Sequence, residues 1–340
     1  MTPRDTDVPS REHRPGRRTA LKALGGLVAL GSIGTAVGGS IASASGADDV
    51  RSSLTMIAPA AAGGGWDAVA RQLQQCQRAH SIANNAQVVN IPGAGGTIAL
   101  ANIAARRGIP HSLMIGGTGL LAATIQFKSD VAFTDAPPLA TLVEEYDAIV
   151  VPKDSPHKDL DSLLAAWKKA PKKLPWTGGG SFDQLVITDT AITTGIDPAA
   201  MTYISGDGGG EAVQSLLNGT AQASACGLPD VLDQVESGRL RALAIVAPKR
   251  VAGVDIPTTV ELGHDITLSN WRSVSAPPGL RPEDLTALRS IVTESIATPE
   301  WDAAVKRYGW TPRVRTGHEL DAFIAEQTRT ITTLLKEMGK

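Results

Sequence analysis

The sequence predicts an α/β protein of two lobes built on largely parallel sheets, and three observations carry that expectation. Short runs of β-branched and apolar residues alternate with longer stretches of helical period, the pattern of βαβ units. Five of those runs end in a glycine-rich turn that leads straight into the next helix. About 300 residues follow the amino-terminal segment, more than one hydrophobic core usually supports, which divides them into lobes of about 100–150 residues.

The first stretch reads as an address. Arg17-Arg18-Thr19-Ala20-Leu21-Lys22 precedes an uncharged run from Ala23 to Ser45. This is the form of a twin-arginine export signal over residues 1–44, with Ala42-Ser43-Ala44 as a small-x-small site and cleavage expected after Ala44. The run is rich in Gly, Ala and Ser and so is weakly hydrophobic beside the roughly 20 strongly apolar residues of a span. A retained anchor is the competing reading, and no cysteine follows the run to carry a lipid. No later segment is long and apolar enough to cross a membrane, so the protein is expected to act outside the cytoplasm.

The elements then follow in order. Leu54–Ile57 leads through Gly63-Gly64-Gly65 into a helix over 66–79. Gln87–Ile91 leads through Pro92-Gly93-Ala94-Gly95-Gly96-Thr97 into a helix to about Arg106, and Leu113–Ile115 leads through Gly116-Gly117-Thr118-Gly119 into a helix toward Phe127. The second half repeats the device. Leu174–Thr177 runs into Gly178-Gly179-Gly180-Ser181 and a helix to about Thr194, and Thr202–Ile204 runs into Ser205-Gly206-Asp207-Gly208-Gly209-Gly210 and a helix over 211–217.

A helix amino terminus presents unpaired N–H groups and about half a positive charge, and glycine lets a ligand approach that backbone without a Cβ in the way. Several such ends in one crevice outside the carboxyl ends of the strands make an anion site without arginine. Tight packing also selects glycine, and one such turn alone points nowhere. Five across two halves point to a cleft. The candidate ligand-binding residues in these turns are therefore Gly63, Gly64, Gly65, Trp66, Asp67, Gly93, Ala94, Gly95, Gly96, Thr97, Thr118, Gly179, Gly180, Ser181 and Gly206. Asp67 either caps its helix or holds an ammonium or hydroxyl of the ligand, and Trp66 either lines the cleft or covers the helix start. Ser181 and Thr118 serve as donors to a carboxylate or as N-caps.

Composition narrows the function. A net charge of −2, with no long Lys/Arg run after the signal, gives nucleic acid no footprint. Two cysteines are too few for a disulfide scaffold, and Cys76 shares a helical face with Val69 and Leu73 as a buried thiol. The six histidines lack metal-ligand spacing, so neither metal nor cofactor is expected. Gly117-Thr118-Gly119-Leu120-Leu121-Ala122 fits a dinucleotide fingerprint and keeps an exported nucleotide-cofactor oxidoreductase as the runner-up. Gly179-Gly180-Ser181-Phe182-Asp183 breaks the nucleophile elbow of a hydrolase at its last position.

With these residues in hand, the chain resembles the extracytoplasmic receptors of tripartite tricarboxylate transporters, the TctC/Bug type, from about Leu54 to Lys336. The specific pieces are Gly63-Gly64-Gly65-Trp66-Asp67 with Ala70-Arg71, Val88-Val89-Asn90 with Pro92–Thr97, Gly208-Gly209-Gly210-Glu211-Ala212, Ser237–Ala244, Ile256-Pro257-Thr258 through Glu261-Leu262-Gly263, Asn270-Trp271-Arg272 and Ala276-Pro277-Pro278-Gly279. The resemblance implies a two-lobed periplasmic-binding-protein (Venus flytrap, type II-like) fold with the ligand cleft between lobes, and no enzyme activity. It implies capture of a small organic carboxylate, a di- or tricarboxylate or related acid, and delivery by a monomer to integral-membrane permease subunits. A binding protein that serves a sensor uses the same cleft. The resemblance carries ligand binding to Gly63–Asp67, to Gly93–Thr97 and to the opposite-lobe loop Gly178–Asp183, which adds Asp183 to the candidates; where many relatives carry a histidine just after the serine or aspartate of that loop, this chain has Ser181-Phe182-Asp183-Gln184. The lobes are expected at 45–149 with 275–340 and at 150–274, crossing near 148–152 and 271–275. No arginine clamp is expected in the pocket; backbone donors and water are to carry recognition.

Overall fold

The computed structural model describes residues 49–206 and 208–339, so the expected export signal and its cleavage site lie outside the described residues. In chain order the elements are β1 (Leu54–Ala58), α1 (Gly65–Ala79), β2 (Ala86–Asn90), α2 (Thr97–Ala104), β3 (Ser112–Gly117), α3 (Thr118–Gln126), β4 (Pro138–Glu145) and β5 (Asp147–Pro152). Then come α4 (Leu160–Lys169), β6 (Trp176–Gly178), α5 (Ser181–Thr193), β7 (Tyr203–Ser205), α6 (Gly209–Leu217), β8 (Ala223–Gly227), α7 (Leu228–Glu236) and β9 (Leu240–Ile245). The chain closes with β10 (Asn270–Ser275), α8 (Pro282–Ile296), α9 (Pro299–Tyr308), β11 (Thr311–Arg315) and α10 (Gly317–Glu337).

The strands form a six-stranded sheet, β11-β4-β10-β3-β1-β2, and a five-stranded sheet, β7-β6-β8-β5-β9. Both are more mixed than the expected largely parallel sheets. β1, β2 and β3 pair in parallel, and so do β6, β7 and β8. β10 runs antiparallel between β3 and β4, and β5 antiparallel between β8 and β9. Each of these two strands enters its sheet from the other lobe, so it arrives reversed.

That topology also corrects the lobe boundaries. β5 pairs with β8 and β9 along its length and β10 with β3 and β4 along its own, so the expected divisions at 149/150 and 274/275 fall inside strands. The crossings lie at Tyr146, the single residue between β4 and β5, and within 246–269.

Burial explains the periodicities. β3 is buried at every position, as a central strand covered on both faces must be, and it reads as a continuous apolar run. α1 buries Val69, Ala70, Leu73 and Cys76 on one stripe, against a core that includes Leu288 of α8 and Trp301 of α9. Cys76 and Cys226 are both buried free thiols. A second core joins the lobes. It holds Leu100 and Leu120 of the first, Trp176 and Leu185 of the second, and Ile324, Ile331 and Leu335 of α10.

Candidate functional site

The strand directions bring the two sets of glycine turns to one place. Because β10 is antiparallel to both β3 and β4, strands β1 to β4 all point the same way and end at one rim. Two residues past the end of β4, Asp147 opens β5 and stands opposite Gly227, the carboxyl end of β8. The carboxyl rims of both sheets therefore meet at Tyr146, where a doubly wound sheet binds its ligand.

The helices that start at this rim are left uncapped. Gly64, Gly96, Gly117, Gly180, Gly208 and Gly227 stand at the N-caps of α1, α2, α3, α5, α6 and α7, and none of these ends receives a side-chain cap. Away from the rim, Asp159 caps α4 and Thr298 caps α9, while α8 and α10 also lack a side-chain cap. Uncapped ends leave N–H groups free for a ligand.

In the first turn, Asp67 is 2% exposed and its carboxylate is fully engaged: Gly63 N and Arg71 Nε donate to Oδ2 at 2.8 Å each, and Asn90 Nδ2 donates to Oδ1 at 2.8 Å. These bonds clasp the loop. Trp66 is half-buried, its ring filling the space beside Gly96 and Gly119. Gly65 opens α1 beneath a guanidinium, since a Cβ there would come 2.8 Å from Arg272 Nη2. Arg272 is 8% exposed, forms an ion pair with Glu145 and leaves its Nε without a partner. The expectation of no arginine at the site is therefore corrected: β10 carries one to the amino end of α1. The signal was in the sequence as Asn270-Trp271-Arg272, and only the antiparallel return of β10 shows where it points.

The second and third turns are packed against the protein's own elements. Gly93, Ala94, Gly95 and Gly96 all have positive φ, and a Cβ on Gly95 would come 2.5 Å from that of Ala123, so this tight left-handed turn lies directly on α3. Thr97 Oγ1 donates back to the Ala94 carbonyl at 3.0 Å. Thr118 is fully buried; its hydroxyl donates to Ser269 O at 2.9 Å and accepts from Trp271 N at 3.0 Å, tying α3 to β10. A Cβ on Gly117 would overlap the Trp271 carbonyl. Of the glycines of the dinucleotide-like motif, Gly117 is thus covered by the protein's own return strand and Gly119 by the Trp66 ring.

In the second lobe, Gly179 packs against the backbone of Gly208, and Gly206 is buried with its N–H on Gly178 O at 2.9 Å. Gly180 and the exposed Ser181 face open space. Asp183 Oδ2 accepts from Gly179 N at 2.5 Å. Burial pushes the Asp183 carboxyl up to about 7, the nearby Asp230 adds to the rise, and the Gly179 bond opposes it. Asp147, buried near Asp183 and Asp230, is raised well above the usual carboxylate range by burial and then by their charges.

The comparisons with known proteins agree with this geometry. The model of the tripartite tricarboxylate transporter family receptor, TctC, matches residues 69–340. The chain belongs to that family. It is 29% identical to Protein BugT of Bordetella pertussis over 294 residues, 84% of this chain and 89% of the relative. Among solved structures it resembles a TctC solute-binding protein from Polaromonas without ligand, at TM-score 0.73 and 25% identity over 84% of this chain and 98% of that one. It shares its fold with MatC of Rhodopseudomonas palustris with bound malate, at TM-score 0.67 and 22% identity over 83% and 98%. TctC-type receptors are periplasmic solute-binding proteins and not enzymes, which sets aside the oxidoreductase and hydrolase readings. Among the described residues no helix is long and apolar enough to cross a membrane.

The rim also includes residues that the sequence did not single out. Glu145 accepts from Trp310 Nε1 at 2.6 Å as well as from Arg272, and so closes one end of the rim. Behind that closure lies a cavity of about 760 Å³, walled by Tyr146, Leu228, Val251, Tyr308 and Trp310, which contains none of the glycine turns.

Proposed function

We propose that this receptor captures a small organic acid, a di- or tricarboxylate or a related carboxylate, between its lobes and delivers it as a monomer to integral-membrane permease subunits. Twin-arginine export places it outside the cytoplasm. The observation that carries the reading is the uncapped amino end of α1, Gly64 to Trp66, with the Arg272 guanidinium against it. An oriented set of N–H groups, a helix dipole and an arginine form a carboxylate site. Gly180 and Ser181 meet the ligand from the opposite lobe, while Asp67, Gly93 to Thr97, Thr118 and Gly206 hold the loops in place. Malate in MatC, on the same fold, supports the ligand class. Bending at Tyr146 and within 246–269 closes the lobes over the ligand and forms the surface a permease reads.

A thermal-shift screen against mono-, di- and tricarboxylates, amino acids and nicotinamide compounds tests this reading. A ligand at a hundred times its dissociation constant adds about 2.7 kcal/mol of stability, which is readily seen. A carboxylate-bearing compound is expected to raise the melting temperature; a shift with nicotinamide compounds and none with carboxylates would overturn the reading.

A further inference from the structure

The second lobe meets the rim with carboxylates and no countercharge. Asp183 is the third residue of α5 and Asp230 the third of α7. Asp230 occupies the space that a side chain on Gly209 would need, and its Oδ2 lies 3.0 Å from where a Cβ on Gly227 would stand. Asp147 is the direct cross-strand partner of Gly227, so its side chain stands on the same face as that position, beside Asp230. Asp147 is 2% exposed, and its Oδ2 has no hydrogen-bond partner. None of the ion pairs among the described residues involves any of the three. Arg272 at the first-lobe side of the rim is already paired with Glu145.

An acid in the first turn of a helix complements the dipole, and that accounts for Asp183 and Asp230 taken singly. It does not account for Asp147. That residue opens a strand, lies under the other two, and has an oxygen that nothing satisfies, an arrangement proteins ordinarily keep only where something completes it. Among the described residues no group of three or more His, Cys, Asp and Glu is placed to hold a metal ion.

We infer that the ligand carries, besides the carboxylate that the first lobe takes at α1 and Arg272, a cationic ammonium-type group that seats against Asp183 and Asp230 with Asp147 behind them. The inference rests on the proposed reading of the cleft and narrows it. A dicarboxylate of the same length sets its second charge among carboxyl groups with no cation to meet it, whereas an amino acid sets an opposite charge there. The Ser181-Phe182-Asp183-Gln184 loop is where the chain departs from relatives that carry histidine, and Asp183 is part of that departure.

Isothermal titration of the purified protein at pH 7.5 with matched probes tests it. The pairs are succinate with 4-aminobutanoate, adipate with 6-aminohexanoate, and butanoate with 2-aminobutanoate, so that an ammonium at either end is sampled. In at least one pair the amino compound is expected to bind about tenfold or more tighter, the worth of one charge-assisted contact. Asp183→Asn combined with Asp230→Asn is expected to shrink that preference to about threefold or less, with the melting temperature unlowered. If the plain acid binds as tightly as its amino partner in every pair that binds, the inference fails and the proposed function stands. Dicarboxylate binding that appears only as the pH falls to 5.5 also overturns it, because protons and not a ligand cation then fill the site. Silence in every pair overturns both readings.

Discussion

Asp67 and Asp183 hold their glycine loops with the same hydrogen bond and carry opposite electrostatics. Each is the third residue of its helix and accepts from the backbone N–H four residues earlier, Gly63 at 2.8 Å and Gly179 at 2.5 Å. Burial works against the Asp67 charge, yet the bonds from Arg71, Gly63 and Asn90 hold its carboxyl below the usual value. Asp183 has no cation beside it, and burial raises it to about 7.

The first prediction follows from the sign of that shift. Between its unfolded value near 3.8 and its folded value of about 7, Asp183 holds a proton in the folded state that the unfolded state has lost. Stability therefore falls as pH rises through this window. Asp189, raised by burial to about 6, acts in the same direction. The melting temperature of the ligand-free protein is expected to rise as the pH is lowered from 8 to 5.5, and Asp183→Asn to flatten that slope. A melting temperature that drops over the same interval contradicts the assignment.

The paired clasp gives a second prediction, in which one substitution has opposite effects at two sites. Asp67→Asn removes the ion pair to Arg71 and turns one accepting oxygen into a donor facing donors, costing about 1–3 kcal/mol. Asp183→Asn keeps an oxygen for the Gly179 N–H and removes an uncompensated charge, so at pH 8 it stabilises the ligand-free protein. Urea denaturation of the two variants measures both signs. Equal destabilisation would show that the two loops do not differ as described.

Among the glycines, Gly95 and Gly180 separate scaffold from site. Gly95→Ala places a Cβ into Ala123 at a positive φ and is expected to cost about 2–4 kcal/mol. Gly180 is extended backbone with nothing within 4 Å of its Cβ position, so Gly180→Ala is expected to change stability by about 1 kcal/mol or less while weakening ligand binding. Calorimetry on both variants decides the matter, and full ligand affinity in Gly180→Ala would remove that loop from the site.

Thr118 serves as a control for the reading of the third turn. Thr118→Val leaves Trp271 N–H and Ser269 C=O, each now unsatisfied in the interior, and is expected to cost about 1–3 kcal/mol without changing ligand preference. A change of preference among carboxylates at unchanged stability would restore Thr118 to the ligand's contacts.

Much of this architecture was legible in the sequence because it is local. The strand, glycine turn and helix of each of the five βα units follow from periodicity and from glycine itself, and so does the buried Cys76 on the α1 stripe. What was hidden depends on pairing between distant segments. Arg272 and Glu145 reach the rim only because β10 returns antiparallel between β3 and β4, and Asp147 belongs to the second lobe only because β5 is inserted beside β8. The roles of Asp67, Gly95 and Thr118 were ambiguous for the same reason. A capping residue and a ligand contact have the same local sequence and differ only in what stands opposite.

The central claim is that ligand binds where the uncapped ends of α1 and α5 face each other across the Arg272–Glu145 pair. A crystal structure of the complex with whichever carboxylate-bearing compound raises the melting temperature tests it most directly. The account predicts a ligand carboxylate within hydrogen-bonding distance of the Gly65 and Trp66 N–H groups and Arg272, with the other end at Gly180 to Asp183. A ligand found instead in the cavity behind Glu145, against Tyr308 and Trp310, would contradict it.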